Sequence, residues 1–196
     1  MTASSRTARA EQRRTQILHT ALALFAEAGT ADATIKELAR AAGVAQGLIY
    51  HYFPDKEALL VAVVEQYSFL PHLRALLAVA DDHPPEAVLR SLSMDFLALL
   101  AAHTPIVRVF MGEAQTHPAV AAAWNALVTE GTALLAAYLD RQIAAGALRP
   151  HDTIMTARTF FFTHLMLHLT GTASADFTAS FVDTLLNGIA TPVRVA

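Results

Sequence analysis

Apolar residues recur along this chain at intervals of three and four, and no segment sustains the alternation of a strand. The backbone is therefore read as a set of helices, each buried along one stripe. Ile17, Ala21, Leu22, Phe25 and Ala28 mark one face of a first helix closed by Gly29, and the polar MTASSRTA ahead of it is expected to be mobile. Thr34 and Glu37 have the T-x-x-E spacing of a capping box. They open a second helix with Ile35, Leu38, Ala39 and Ala42 inward and Gly43 at its end. A short third helix is expected from about Ala45 to Phe53. Asp55 caps a fourth, carrying Leu59, Leu60 and Val63, which Pro71 must kink or divide because proline lacks a backbone donor and clashes with the preceding turn. Pro84 and Pro85, Thr104-Pro105 and His117-Pro118 mark further starts, since proline in a first turn has no hydrogen bond to lose. Gly146 ends the helix begun at Pro118, and Asp152 caps one through about Thr170. The last helix carries Phe177, Phe181, Val182, Leu185 and Ile189. The expectation is an all-α chain of about nine helices.

With 196 residues and 54% hydrophobic content, such helices have ample material for a core. The absence of cysteine excludes disulfides, thiolate metal sites and a cysteine nucleophile. The longest uncharged apolar run, Thr159 to Leu169, is shorter than the ~20 residues of a bilayer span, so no membrane crossing is expected. The N-terminal arginines are not followed by an apolar stretch of the secretory kind, which makes the cytoplasm the expected location. The net charge of −3 conceals an asymmetry: 7 basic residues (Arg6, Arg9, Arg13, Arg14, Lys36, Arg40, Lys56) face 5 acids up to position 56, while the remainder is acidic. A polyanion would be met locally by the first part of the chain. Charge alone equally fits a solvated terminus.

Spacing sharpens that reading. Ala39, Gly43 and Ile49 stand where a helix-turn-helix needs a small residue at a close crossing, a glycine for the left-handed turn and an apolar anchor in the second helix. Leu38, Val44 and Ile49 form the inner face, so Gln46, Gly47, Tyr50 and His51 turn outward on a helix suited to the ~12 Å major groove of B-DNA. Gly47 forfeits roughly 1 kcal/mol of helix propensity relative to alanine, yet lets backbone approach bases or phosphates closely. Phe53 packs inward, while tyrosine hydroxyls can donate to phosphate.

The stretch TIKELARAAGVAQGLIYHYFPDKEALLVAV, after one amphipathic helix and before an apolar helical body, closely resembles the DNA-binding region of TetR-family transcriptional regulators. The resemblance implies an N-terminal three-helix helix-turn-helix domain over residues 1–54. It implies a larger helical ligand-binding and dimerisation domain over 55–196, and a homodimer joined through its last two long helices that binds a near-palindromic double-stranded DNA operator. It places Thr34 and Lys36 near phosphate and groove, Gln46 and Gly47 at base-reading positions, and Tyr50, Tyr52 and Lys56 at phosphates, with Ala45 and His51 on the same face. Ala45 and Leu48 stand where hydroxyl residues are common in the family, and Gln46 where lysine is. The arm with Arg6, Arg9, Arg13 and Arg14 is expected to add backbone or minor-groove contacts or to remain a solvated terminus.

In the larger region, Val120, Trp124, Leu127, Val128, Leu135 and Tyr138 share one helical stripe and Phe161, His164, Leu165 and His168 another. Such stripes are mostly core. The resemblance implies an apolar effector cavity among them, and the candidate lining is Leu99, His103, Phe110, Met111, Trp124, Phe161, His164 and His168. His164 and His168 at i, i+4 have the spacing of two metal ligands, but two are insufficient and a third, His103 or Glu113, depends on tertiary placement. No metal and no cofactor are expected. No nucleophile elbow, phosphate-cradling glycine loop or acid/base constellation is present, which argues against an enzyme. The expected function is a ligand-responsive repressor released by a small, largely apolar molecule. The alternatives are an activator or ligand-independent regulator, or a helical small-molecule-binding module without DNA activity.

Overall fold

The computed structural model describes residues 3–174 and 176–188, the side chains of 3–6 and 31–32 excepted. Ile189 and the side chain of Arg6 lie outside the described residues. Ten α-helices and no strand are found among them: α1 (Ala3–Asp32), α2 (Ile35–Ala42), α3 (Gln46–Tyr52), α4 (Lys56–Gln66), α5 (Leu70–Ala78), α6 (Pro85–Ala102), α7 (Thr104–Glu113), α8 (Pro118–Ala144), α9 (Thr153–Thr170) and α10 (Phe177–Asn187), with a 3-10 turn at Ala80–Asp82. The start and stop residues act as their chemistry predicts. Thr34 and Glu37 form the reciprocal capping box of α2, and Gly43 ends it in the left-handed region at φ 64. Asp55 and Asp152 cap α4 and α9 through their carboxylates.

One feature differs from the sequence reading, and one decides between two alternatives that it left open. Helix α1 begins at Ala3 rather than after a mobile segment, in keeping with the alanine, arginine and glutamine of 8–14 as good helix formers; non-helical Gly29 (φ 73, ψ 171) interrupts it where the first helix was expected to close. Pro71 divides rather than kinks, because it occupies the first turn of α5, where its missing donor costs nothing. Helix α8, with 27 residues, is long and apolar enough to cross a bilayer by length and composition alone. Yet Leu135, Ala136, Tyr138 and Leu139 on it are buried in the protein, and Glu130 pairs with Arg74 and Arg141 with Asp81 at its surface.

The chain forms two compact units. The first comprises the residues up to Ser68 together with His103–Leu127, and the second Phe69–Ala102 with the residues from Val128 on. The first unit therefore takes in α4, α7 and the start of α8 besides the three N-terminal helices. Its core gathers Ile17, Leu18, Phe25, Leu38, Ile49, Phe53, Leu59, Val63, Ile106 and Phe110, so α7 covers apolar surface that α1 and α4 would otherwise expose. In the second unit α6 packs on α9 and α10.

Candidate nucleic-acid interface and effector region

Helix α3 has seven residues and buries one side chain, Ile49. That anchor is fully enclosed, worth about 1.5–3 kcal/mol, and it fixes which face points out. Ala45, Gln46, Gly47, Tyr50 and His51 are exposed, Tyr50 at 52%. A Cβ added at Gly47 would meet nothing within 4 Å, so no packing inside the protein calls for glycine there. Lys36 is exposed on α2.

The polar ends of three further residues are engaged within the first unit. Thr34 Oγ1 accepts from the Glu37 amide (3.1 Å) and donates to Glu37 Oε2 (2.8 Å); the Thr34 hydroxyl, then its amide, hold the Glu37 carboxyl below its ordinary value. Tyr52 donates its hydroxyl to the Ala10 carbonyl of α1 at 3.2 Å, its ring edge-on to His51. Lys56 Nζ donates to the Thr30 carbonyl. Arg14 lies over the Phe53 ring at 5.5 Å and Arg13 donates to Gln16, while Arg9 is exposed.

In the second unit, His164 is wholly buried among four rings. It stacks on Phe160 (centroids 4.4 Å) and meets Phe177, Phe181 and Phe96 at 5.0, 4.9 and 6.2 Å. Nδ1 donates to the Phe160 carbonyl at 2.6 Å, which leaves Nε2 to accept from Ser93 Oγ at 2.5 Å. Ser93 Oγ is also bonded to Thr178 Oγ1 at 3.1 Å. Burial pushes the imidazole pKa below its ordinary 6.5, opposed by the Phe160 carbonyl, so the ring is neutral. Tyr138, equally buried, has a hydroxyl with no hydrogen-bond partner among the described residues; burial, with Asp81 adding and Arg141 opposing, pushes its pKa up to about 12 and keeps it a donor. A cleft of about 210 Å³ lies between Leu89, Leu139, Leu148, Arg149 and Leu185.

The model of the family described as bacterial regulatory proteins, tetR family, matches residues 17–63, and that of the AefR-like transcriptional repressor C-terminal domain matches 87–174. The chain belongs to the TetR family of transcriptional regulators. Among TetR-type and related regulators, the chain is 39% identical over 84 residues to BetI of Serratia proteamaculans (strain 568), a match spanning 41% of either chain. It is 29% identical over 170 residues to EthR of Mycobacterium tuberculosis (strain CDC 1551 / Oshkosh), covering 80% of this chain and 78% of that one. The fold matches FadR from Bacillus subtilis in complex with stearoyl-CoA at a TM-score of 0.76 and 22% identity, over 90% and 99% of the two chains. It matches Salmonella enterica GusR at 0.74 and 22%, over 90% and 96%. BetI, EthR and FadR are transcriptional regulators.

Placed on the TetR fold, the nine sequence-predicted DNA residues all lie on α2, α3, their caps and the first turn of α4. The eight predicted effector residues fall into two groups. Leu99, Phe161, His164 and His168 belong to the second unit. His103, Phe110, Met111 and Trp124 belong to the first, with His103 5.7 Å from the Tyr67 ring and Phe110 5.6 Å from Trp124. Both nitrogens of His164 are used by the protein, and His168 is half-buried one turn away. No group of three or more His, Cys, Asp or Glu side chains that would hold a metal is gathered among the described residues. Sequence reasoning missed Ser93 and Thr178. A lone serine within the apolar stripe Leu89, Leu92, Phe96, Leu100 was the available signal for the first, and the second had none.

Proposed function

We propose that the protein is a repressor that binds a near-palindromic operator as a homodimer and is released by a small, largely apolar molecule. The observation that carries the DNA half is the face of α3, where one buried anchor leaves Ala45, Gln46, Gly47, Tyr50 and His51 in solvent beside Lys36. In this reading residues 1–54 read DNA in the cytoplasm, while 55–196 bind the effector and pair with a second copy. Gln46 and Gly47 face base edges, and Tyr50 and Lys36 take phosphates.

Pairing is supported by α9, where Met155, Phe162 and Met166 line one face with 58%, 43% and 47% of their surface exposed, more apolar area than a lone helix face ordinarily leaves in water. Two-fold pairing is also what a palindrome requires. An apolar effector is supported by the relationship in fold to FadR, solved with stearoyl-CoA, and repression by the AefR-like repressor domain. Hundredfold release requires the effector to favour the non-binding state by about 2.7 kcal/mol.

The test selects duplexes from a random library with the wild-type protein, then titrates the enriched operator and a scrambled duplex with wild type and Gln46→Ala. The variant is expected to lose about 1–3 kcal/mol on the operator, concentrated at one base pair per half-site, and little on the scrambled duplex. Equal losses on both would remove Gln46 as a base reader. A library that yields no enriched duplex would sink the DNA-binding reading.

A further inference from the structure

Lys56 stands in the first turn of α4, four residues after the end of the recognition helix, and its half-buried ammonium group is turned toward the protein. One of its three protons goes to the carbonyl of Thr30, next to the Gly29 break in α1. Thr30 is itself buried, and its hydroxyl donates to Glu113 Oε1 at the end of α7. Glu113 Oε2 lies 2.9 Å from His117 Nδ1. The neighbouring Glu57 accepts the amide of Ala119, in the first turn of α8, at 3.3 Å. Two consecutive residues of α4 thus hold the end of α1 and the corner between α7 and α8, and a cation and an anion grip the two oxygens of one threonine. All of these residues belong to the first unit.

The link from this cluster to α3 is short and stiff. Phe53 is buried, Pro54 fixes its own φ, and the Asp55 carboxylate caps α4 at the Ala58 amide (2.7 Å), so a shift of the first turn of α4 is carried to the end of α3. Base-edge contacts tolerate displacements of only about 0.5 Å, so holding this turn is holding the reading head in register.

We propose that Lys56 and Glu113 are positioning residues for the recognition helix, acting on one another through Thr30, and that Lys56 contributes to operator binding by this route rather than as a phosphate contact. The proposal rests on the DNA-binding reading above. A phosphate contact and a positioning contact differ in an observable: neutralising a phosphate releases counterions, so removing such a lysine flattens the dependence of log K on log salt by about 0.9, whereas removing an internal strut leaves that slope alone. They differ in selectivity too, because lost register weakens the operator more than a scrambled duplex.

The experiment titrates wild type, Lys56→Ala, Glu113→Ala and the double variant on the wild-type-selected operator and on the scrambled duplex, between about 50 and 200 mM salt. Each single variant is expected to bind the operator about tenfold more weakly with an unchanged slope and a reduced operator-to-scrambled ratio, and the double variant no more weakly than the poorer single. A slope lowered by about 0.9 in Lys56→Ala, wild-type affinity in Glu113→Ala, or losses that add in the double variant would each overturn the proposal. A merely structural role would lower the melting temperature and leave the ratio unchanged, which overturns it as well. Should Glu113→Ala melt below the assay temperature, Thr30→Val, which removes the hydroxyl link, takes its place in the same cycle. Wild-type protein that enriches no duplex breaks the DNA-binding reading and this proposal together, while wild-type binding with additive losses breaks this proposal alone.

Discussion

Helices α3 and α9 both carry aromatic residues beside a histidine, and they use them in opposite ways. In α3, Tyr50 and His51 face solvent around a single buried anchor. In α9, Phe160 and His164 are wholly enclosed, and every ring nitrogen of the histidine has a partner. The same residue types serve a surface in one helix and a core in the other. What separates them is how many elements close over the helix: α9 has α6 and α10 against it, whereas α3 is held by α2 and by the buried Ile49 and Phe53 at its base.

Three measurements press on that contrast. The largest effect is expected from Phe160→Ala, which leaves a hole among His164, Phe161 and Phe181 and should cost about 3–5 kcal/mol in denaturant unfolding; Tyr50→Ala should stay within about 0.5 kcal/mol of wild type. Comparable losses at the two sites would erase the distinction between core and surface aromatics.

A smaller effect, since only one proton is at stake, is expected from acid. The folded state holds the His164 pKa below 6.5, so the unfolded chain takes up the proton first as pH falls. The stability contributed by the neutral buried ring is complete above about pH 6.5 and is lost as pH drops through the folded-state value. Stability measured from pH 7.5 down to 5 should therefore fall more steeply in wild type than in His164→Gln, the other histidines being common to both. Parallel profiles would show that His164 titrates alike in both states.

The smallest effect on stability concerns Gly47→Ala. With nothing near the added Cβ, the variant should gain up to about 1 kcal/mol of stability from helix propensity while binding operator more weakly. A variant that is more stable and binds as tightly would show that DNA needs no close backbone approach at this position.

What the sequence makes legible follows from distance along the chain. The Thr34–Glu37 box, Gly43, and the Asp55 and Asp152 caps act within three or four residues, and all are where their spacing puts them. Ile49 as anchor, and the outward face it implies, follow from the same local period. The partners of His164 do not. Ser93 lies 71 residues away, and Ser93 meets Thr178 across 85. Thr30 and Glu113 are separated by 83, so a lysine that reads from its motif as a phosphate contact has a threonine carbonyl beside it that no local pattern announces. The eight-residue effector lining was drawn from helical stripes, and a stripe says which face is apolar but not which compact unit it joins.

The brevity of α3 bears on how the molecule breathes. In this seven-residue helix the amides of Gln46 and Gly47 precede the first intrahelical acceptor and the Ala45 cap adds no side-chain acceptor for them, while Leu48 donates to the Ala45 carbonyl at 3.0 Å. Local openings that spare the rest of the unit are therefore cheapest here, and these amides are the ones that trade hydrogen for deuterium soonest in solvent. Amide exchange in α3 is therefore expected to be faster than in the side-chain-capped α2 when the protein is alone, and to slow when operator is bound.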